Sequence, residues 1–194
     1  MPKQNVLAVH DVSNIYHVPL LLLEQRAHSI IQQQLKLDLP FAEPRIGPWR
    51  AMAGRVDGAK VSVQIALVGK YNGLSDSYLS VLKALKHSCI AAGRKLVVDW
   101  IDAEALEPAT EIKEKKVFDD SWKVLRECHG ILVPGGFGDR GVEGKILAVQ
   151  YAREHKRPFL GVCLGMQCAV IEHARNVVGL AGANSAEFKP DCKH

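Results

Sequence analysis

A chain of 194 residues can hold one well-packed core, or one domain with an appendage. Hydrophobic residues make up 47% of it and charged residues 24%, and 25 Lys and Arg against 21 Asp and Glu give a net charge of +4. This is an ordinary globular composition, and the scattered basic residues are not interleaved with aromatic ones, which argues against nucleic-acid binding. The apolar run at 20–23 is far too short for a bilayer, which takes about 20 residues, so we expect no membrane segment.

The five cysteines form no C-x-x-C pair and so favour neither a zinc ribbon nor thioredoxin-type chemistry. Residues 2–5 lack the pattern of a signal peptide. An odd number of cysteines without an export signal fits a reducing compartment, so we predict a cytoplasmic protein without a metal site. The cysteines are Cys89, Cys128, Cys163, Cys168 and Cys192.

The first part of the chain predicts a strand at 6–9 and a helix at 20–35. Residues 36–60 carry six Pro and Gly residues, which is typical of a linker with room for one short helix near 49–56. Residues 1–36 have too little apolar surface to fold alone, so we predict that they are the remnant of a larger domain. We therefore divide the chain into 1–36, a linker at 37–60, and a second domain at 61–194.

From residue 61 onward, strands alternate with helices. Strands are predicted at 61–68, 96–101, 130–134 and 158–162, and helices at 75–92, 118–128, 141–155 and from 163 to 175. Residues 102–116 are predicted to be mostly loop, and no helix or strand is predicted at 177–194. This alternation implies βαβ units, hence an α/β fold with a doubly wound, mostly parallel sheet and helices on both faces.

The junction of the last strand and helix predicts a nucleophile elbow. Gly161 and Gly165 flank Cys163, so the backbone can bend sharply between a buried strand and a helix. A thiol held there faces the positive end of the helix dipole, which favours the reactive thiolate. The alternative is that Cys163 is a buried, inert apolar residue, as many cysteines are.

A second glycine-rich loop follows the strand at 130–134. The bare amides of Gly135, Gly136 and Gly138 can approach a ligand closely, as an oxyanion hole requires; an ordinary tight turn is the alternative. Because both loops follow strands of one parallel sheet, they are expected to face one crevice at its carboxyl edge.

Pro134-Gly-Gly-Phe-Gly138 and Gly161-Val-Cys-Leu-Gly-Met-Gln167 together resemble the class I (triad) glutamine amidotransferases. The resemblance implies a flavodoxin-like sheet that is incomplete at its C-terminal end in this chain. Within that class, six further segments resemble the CTP synthase family. They are Asp11-Val-Ser-Asn-Ile-Tyr16, Gly69-Lys-Tyr71, Ser75-Asp-Ser-Tyr78, Lys83-Ala-Leu-Lys-His87, Arg140-Gly-Val-Glu-Gly-Lys145 and Ala183-Asn-Ser-Ala-Glu-Phe188.

The resemblance implies hydrolysis of the glutamine side-chain amide, with the thiolate of Cys163 as nucleophile. The amides of Gly136 and Leu164 are the oxyanion-hole candidates, and both residues are also expected to border the glutamine. Three further residues complete the implied pocket: Phe137, Gln167 and Glu187, of which Glu187 would hold the α-ammonium group. Alanine stands at 186 where the family usually has threonine; this change removes no catalytic group.

The resemblance also implies parts outside residues 1–194. Each of the eight histidines is poorly placed as acid–base partner, and the family's histidine and glutamate come from a later segment. The family's synthetase domain phosphorylates UTP with Mg-ATP and aminates it with the ammonia, and it needs no prosthetic group. Residues 1–36 would be its last stretch, with His10, Asp11 and Val12 bordering the adenine of ATP.

Arg140, Gly141 and Glu143 are the residues that the resemblance assigns to the activator GTP. The family forms tetramers and filaments, so a homo-oligomer is expected. We interpret the chain as a truncated form that has negligible activity alone. Two other readings stay open: a non-catalytic isoform that binds and modulates full-length subunits, and the glutaminase part of another triad amidotransferase.

Overall fold

The structure, a computed structural model, describes residues 2–38, 40, 44–70 and 75–194. The chain divides into two compact units. The first unit contains Met1–Ser62 and His87–Lys95, and the second contains Val63–Lys86 and Leu96–His194.

The first unit is helical. Its helices are α1 (Val18–Glu24), α2 (Ala27–Gln34) and α3 (Gly47–Gly58), with short 3₁₀ helices at Lys3–Asn5 and Ile15–His17. α3 lies inside the segment that the sequence assigned to a linker. A small core of Tyr16, Ala53 and Ile90 is extended by partly buried Leu20, Met52 and Val56.

Two predictions for this unit are wrong. The helix expected at 20–35 is two helices, because Arg26 adopts a left-handed conformation (φ 56°) between α1 and α2. The strand expected at 6–9 is absent, and Val6 and Val9 are more than half exposed. The side-chain amide of Gln25 accepts a hydrogen bond from the Ala8 N–H at 2.8 Å and donates one to the Ala8 carbonyl oxygen at 2.7 Å, so both polar backbone groups of Ala8 are paired without a neighbouring strand.

The second unit is built on a four-stranded sheet of order β2-β1-β3-β4. The strands are β1 (Ser62–Gly69), β2 (Lys95–Asp102), β3 (Gly130–Val133) and β4 (Phe159–Gly161). β1 pairs with β3 and β3 with β4, both in parallel. The helices are α4 (Leu79–Ala91), whose residues from His87 onward belong to the first unit, α5 (Pro108–Lys113), α6 (Lys115–Glu127), α7 (Val142–Glu154) and α8 (Leu164–Asn176).

Side chains that alternate along the strands pack against helices on opposite faces of the sheet. Ala66, Val68 and Val133 belong to a buried cluster that includes residues of α6 and α7. Leu67 and Leu132 face the other way, where α4 contributes Val81, Leu82 and Leu85. The predicted α/β class and doubly wound, mostly parallel sheet are confirmed.

Two details of this unit differ from the predictions. Residues 102–116 are largely ordered as a 3₁₀ helix, Ala103–Leu106, followed by α5, because Asp102 caps the first and Pro108 starts the second. β4 is not buried on both faces. Leu160 lies in register with Leu132 but at the edge of the sheet, and it is 55% exposed.

Candidate active site

Cys163 lies at a sharp turn between β4 and α8, where it is the N-cap residue of the helix. Its backbone has φ 52° and ψ −107°, a conformation that residues with a Cβ rarely adopt. Strain of this kind persists only where the surroundings impose it, and it is concentrated at functional sites. The side chain is exposed, so the alternative of a buried apolar cysteine does not hold.

The two flanking glycines are required by close packing. A Cβ on Gly161 would lie 2.5 Å from the carbonyl of Gly165, and one on Gly165 would lie 2.1 Å from the carbonyl oxygen of Val133. Both neighbours are backbone atoms, which cannot move aside cheaply. The glycines therefore let α8 begin directly against the ends of β3 and β4, and this presents Cys163 at the carboxyl edge of the sheet.

The glycine-rich loop after β3 lies against this turn. A Cβ on Gly135 would be 3.3 Å from the Cβ of Cys163 and 3.8 Å from its Sγ, and one on Gly136 would be 3.7 Å from a methyl group of Leu164. Among the described residues, none accepts a hydrogen bond from the amide of Gly136 or Leu164. Two such N–H groups thus lie on the two loops that meet at the cysteine, as stabilisation of an oxyanion requires.

Contacts with the end of β1 hold the far side of the glycine-rich loop. The ammonium group of Lys70 donates to the carbonyl of Phe137, and Arg140 Nη2 donates to the carbonyl of Lys70 at 2.7 Å. Gly138 has φ 78°, so the turn between these contacts needs glycine. Tyr71, the next residue of the predicted motif, lies outside the described residues.

The start of α7 packs very closely on the 3₁₀ helix that follows β2. A Cβ on Gly144 would lie 1.8 Å from the carbonyl oxygen of Ala103, and one on Gly141 would lie 2.9 Å from the Cβ of Ala103. Glu107 accepts from the Gly144 N–H at 3.1 Å, and burial raises the pKa of its carboxyl group. The glycines in this motif are therefore explained by packing.

Lys145 is a charged residue that the sequence pattern gave no separate role. It is only 2% exposed, and its Nζ donates to the carbonyl oxygen of Arg140 at 3.3 Å. Burial lowers the pKa of this ammonium group. A signal was available, since Lys145 occupies the apolar stripe that Val142 and Val149 mark on α7. Its contact ties the helix to the end of the glycine-rich loop.

The residues predicted to bind glutamine are spread around the turn. Phe137 is 81% exposed, Gln167 is half-buried in the first turn of α8, and Glu187 is exposed after the helix. The neighbouring Phe188 packs against the buried cluster that contains Leu164 and Cys168. The structure thus brings together Cys163, Gly136 and Leu164, and it anchors the Glu187 segment to the buried cluster of α7 and α8.

Three histidines of the second unit, His129, His155 and His173, lie away from Cys163, and the backbone carbonyl of the fourth, His194, accepts from the Asn184 N–H at 2.9 Å. His129 precedes β3, at the opposite end of that strand, where its Nδ1 accepts from the Gln64 N–H at 3.1 Å. His155 follows the last turn of α7 and stacks on Tyr151. His173 lies ten residues beyond Cys163 along α8, or about 15 Å at helical rise. Within the described chain, no hydrogen bond joins the Cys163 thiol to a histidine.

The residues that the resemblance assigns to nucleotides lie at two places. In the first unit, His10, Asp11 and Val12 line a cavity of about 300 Å³ together with Leu20 and Glu24. In the second, Arg140 lies 3.7 Å from Glu104 and Glu143 is paired with an arginine of α8. Their roles in binding ATP and GTP stay predictions.

Comparison with known proteins identifies the family to which this chain belongs. The sequence profile described as glutamine amidotransferase class-I matches residues 73–192, which is more than half of the chain. The chain belongs to this family. The amidotransferase match covers both glycine-rich turns and Cys163, so the elbow and the loop opposite it lie inside the family's own domain.

CTP synthases are among the amidotransferase relatives that are similar to this chain. The chain is 50% identical to the CTP synthase of Candida glabrata over 194 residues, covering 96% of this chain and 34% of that protein. It is 52% identical to CTP synthase 1 of Homo sapiens over 197 residues, covering 100% of this chain and 33% of that protein. The chain thus spans about a third of the length of these relatives.

A solved structure shows the same likeness. The Trypanosoma brucei CTPS glutaminase domain with bound acivicin is 47% identical and matches with a TM-score of 0.61, covering 69% of this chain and 48% of that one. Separately, no helix formed by the described residues is long and apolar enough to cross a membrane. The part of the chain that the structure describes also contains no group of three or more His, Cys, Asp or Glu residues suited to a metal ion.

Proposed function

We propose that this chain carries the glutamine-hydrolysing site of a CTP synthase, with Cys163 as the nucleophile. The observation that carries the proposal is the strained, exposed conformation of Cys163 between the amides of Gly136 and Leu164, which have no acceptor among the described residues. Identity of about 50% to CTP synthases supports this amidotransferase over those that serve other pathways.

The chemistry follows from the atoms at the turn. The Cys163 thiolate attacks the amide carbon of the glutamine side chain, and the carbonyl π electrons move onto oxygen. The amides of Gly136 and Leu164 stabilise that oxyanion. Collapse of the tetrahedral intermediate expels ammonia, once its nitrogen has gained a proton, and leaves a thioester. Water then hydrolyses the thioester to glutamate and restores the thiol.

The glutamine would lie between the glycine-rich loop and the start of α8. Phe137 would provide an exposed apolar wall, Gln167 would bond the polar groups of the substrate, and Glu187 would accept from its α-ammonium group. The packing of Phe188 against the buried cluster of α7 and α8 supports the position of Glu187, because it holds the neighbouring residue of the chain at these helices.

Proton transfer sets the limit on activity. A triad mechanism needs a histidine that exchanges a proton with the thiol and the leaving group. Among the described residues, no histidine forms a hydrogen bond with the Cys163 thiol, so we infer that residues 1–194 alone hydrolyse glutamine at least about 10⁴-fold more slowly than a complete triad enzyme. CTP formation from UTP and Mg-ATP, activation by GTP, assembly into oligomers and a cytoplasmic location are proposed for the whole protein only.

The test uses the covalent step, which needs no full turnover. The 194-residue chain is incubated with acivicin, a glutamine-like amino acid with an electrophilic ring, and the modified peptide is identified by mass spectrometry. We expect one adduct on Cys163, slowed by free glutamine and absent from the Cys163→Ser variant. An adduct on Cys89 or Cys128, or labelling that glutamine does not slow, would contradict the proposal.

A steady-state glutaminase assay tests the second part. We expect no measurable ammonia from the 194-residue chain under conditions in which a complete CTP synthase turns over. Activity that matches the complete enzyme would show that the acid–base partner lies within residues 1–194, and the assignment of the histidines would then be wrong.

A further inference from the structure

Arg175, in the last turn of α8, binds two other parts of the second unit. Its Nη1 lies 3.1 Å and 2.8 Å from the two carboxylate oxygens of Glu143, and its Nη2 lies 3.2 Å from one of them. Its Nε donates to the carbonyl oxygen of Ala183 at 2.6 Å. One planar guanidinium group therefore joins the first turn of α7, the last turn of α8 and the chain beyond it.

The segment that Arg175 holds carries Glu187. Residues 177–194 form turns but no helix or strand, so contacts with α8 and the buried cluster help determine where this segment lies, among them the Leu180 N–H donating to the Ala174 carbonyl oxygen at 2.9 Å. Ala183 is 3% exposed beneath Arg175, and Phe188 packs into the buried cluster of α7 and α8. Between these two anchors, the Glu187 N–H donates to Ser185 Oγ at 3.2 Å, which closes a local turn.

We propose that Arg175 is a positioning residue for glutamine binding. It fixes the backbone at Ala183, and the turn at 185–188 then presents the carboxylate of Glu187 to the α-ammonium group of the substrate. The inference rests on the glutaminase function proposed above. It extends that function to a residue that does not contact the substrate.

The geometry explains why arginine is needed at this position. Its planar fork satisfies a carboxylate on one edge and a carbonyl oxygen on the other at the same time. The side chain is largely shielded from solvent, and the charge of Glu143 balances it. A lysine would keep the charge but would offer a single ammonium group, which cannot hold both partners in this arrangement.

The experiment compares two reactions of Cys163 in the full 194-residue chain. Acivicin labelling requires a glutamine-like fit, whereas iodoacetamide alkylation requires only an accessible thiol. For Arg175→Met we expect a fall of roughly 10- to 100-fold in the acivicin rate, as for a misplaced binding group, with the iodoacetamide rate unchanged within about twofold. Arg175→Lys should fall between wild type and Arg175→Met.

A matched control and a second measurement separate positioning from unfolding. Arg157→Met removes another arginine that donates to a backbone carbonyl, that of Arg126, but before β4 and away from the Glu187 segment. It should leave the acivicin rate unchanged. Hydrogen exchange at the Glu187 amide should accelerate in Arg175→Met and not in Arg157→Met.

The labelling rates separate the positioning role of Arg175 from the proposed glutaminase function. An unchanged acivicin rate in Arg175→Met, or an equal fall with both reagents, would overturn the positioning role while leaving the glutaminase site in place. A wild-type chain that iodoacetamide alkylates at Cys163 but acivicin does not would overturn the proposed function itself, and the positioning role with it.

Discussion

Gly165 lies directly against Val133, so close that a Cβ on the glycine would be 2.1 Å from the valine carbonyl oxygen. That carbonyl also accepts from the Val162 N–H at 3.0 Å, and so it joins β3 to the chain that leads into Cys163. One backbone group thus sets the distance between the end of the sheet and the start of α8. The fit at this point determines whether the cysteine is presented at all.

We expect Gly165→Ala to destabilise the protein by about 1–3 kcal/mol or more, because a methyl group there must displace backbone. The measurement is the free energy of unfolding in urea, together with the rate at which Cys163 reacts with iodoacetamide. Gly54→Ala is the control: it lies within α3, a Cβ there would meet nothing within 4 Å, and alanine favours helix by about 1 kcal/mol over glycine. If Gly165→Ala were as stable as wild type, the account of this turn would be wrong.

The strained backbone at Cys163 predicts that a residue with a Cβ at this position lowers the free energy of unfolding. We expect Cys163→Gly to be more stable than Cys163→Ala by about 1–2 kcal/mol, because glycine adopts φ 52° without a clash while alanine keeps the Cβ. Comparing these two variants removes the effect of the thiol, which both lack. Urea denaturation checks the difference, and a glycine variant that is no more stable than the alanine variant would show that the turn is unstrained.

The thiols should react in a set order. Cys163 is exposed, whereas burial raises the pKa of the Cys168 thiol to about 11 and also raises that of Cys128. Because the thiolate is the reactive form, we expect iodoacetamide at about pH 8 to alkylate Cys163 well before the other two. Peptide mapping over time gives the order of alkylation. The Cys163→Ser variant shows whether the slower cysteines react only after the protein unfolds. Alkylation of Cys168 as fast as that of Cys163 would contradict the burial of the Cys168 thiol.

The ionisation of Glu172 predicts how the free energy of unfolding depends on pH. Burial opposes its ionisation, but hydrogen bonds from Arg153 and Asn176 outweigh that effect and hold the pKa of its carboxyl below the usual value of 4.5. A lowered pKa means that the stabilisation is complete above the unfolded value and disappears as the pH falls through the folded value. We expect Glu172→Gln to lose about 1–2 kcal/mol at pH 7, reduced from the value for a fully buried pair because Arg153 reaches solvent.

The measurement is the free energy of unfolding of wild type and Glu172→Gln at pH 7 and at successively lower pH. The difference between them should shrink on acidification below about pH 4, as the native carboxylate takes up its proton. Glu154→Gln is the matched control, because Glu154 accepts from the same arginine at 3.3 Å but at the surface. Its loss should stay within about 0.5 kcal/mol, and a pH-independent loss in Glu172→Gln would refute the electrostatic explanation.

The sequence by itself determined the architecture of the second unit and the location of its turn. Strands with helices between them predict a parallel sheet, because the crossover between parallel strands is usually a helix. Gly-x-Cys-x-Gly after an apolar run predicts a sharp bend, because glycine adopts backbone conformations that few other residues tolerate. These are local signals, so they can be read along the chain. The sequence also predicted that Cys163 and Gly136 lie on two loops at one edge of the sheet.

Only the tertiary structure decided what depends on distant residues. The pairing of the Ala8 backbone with Gln25 and the bridge of Arg175 between Glu143 and Ala183 join positions that no local pattern relates. The exposure of Leu160 depends on its strand lying at the edge of the sheet, which an apolar run does not reveal. A local pattern specifies which conformations a segment can adopt, whereas its partners are set by packing across the whole unit.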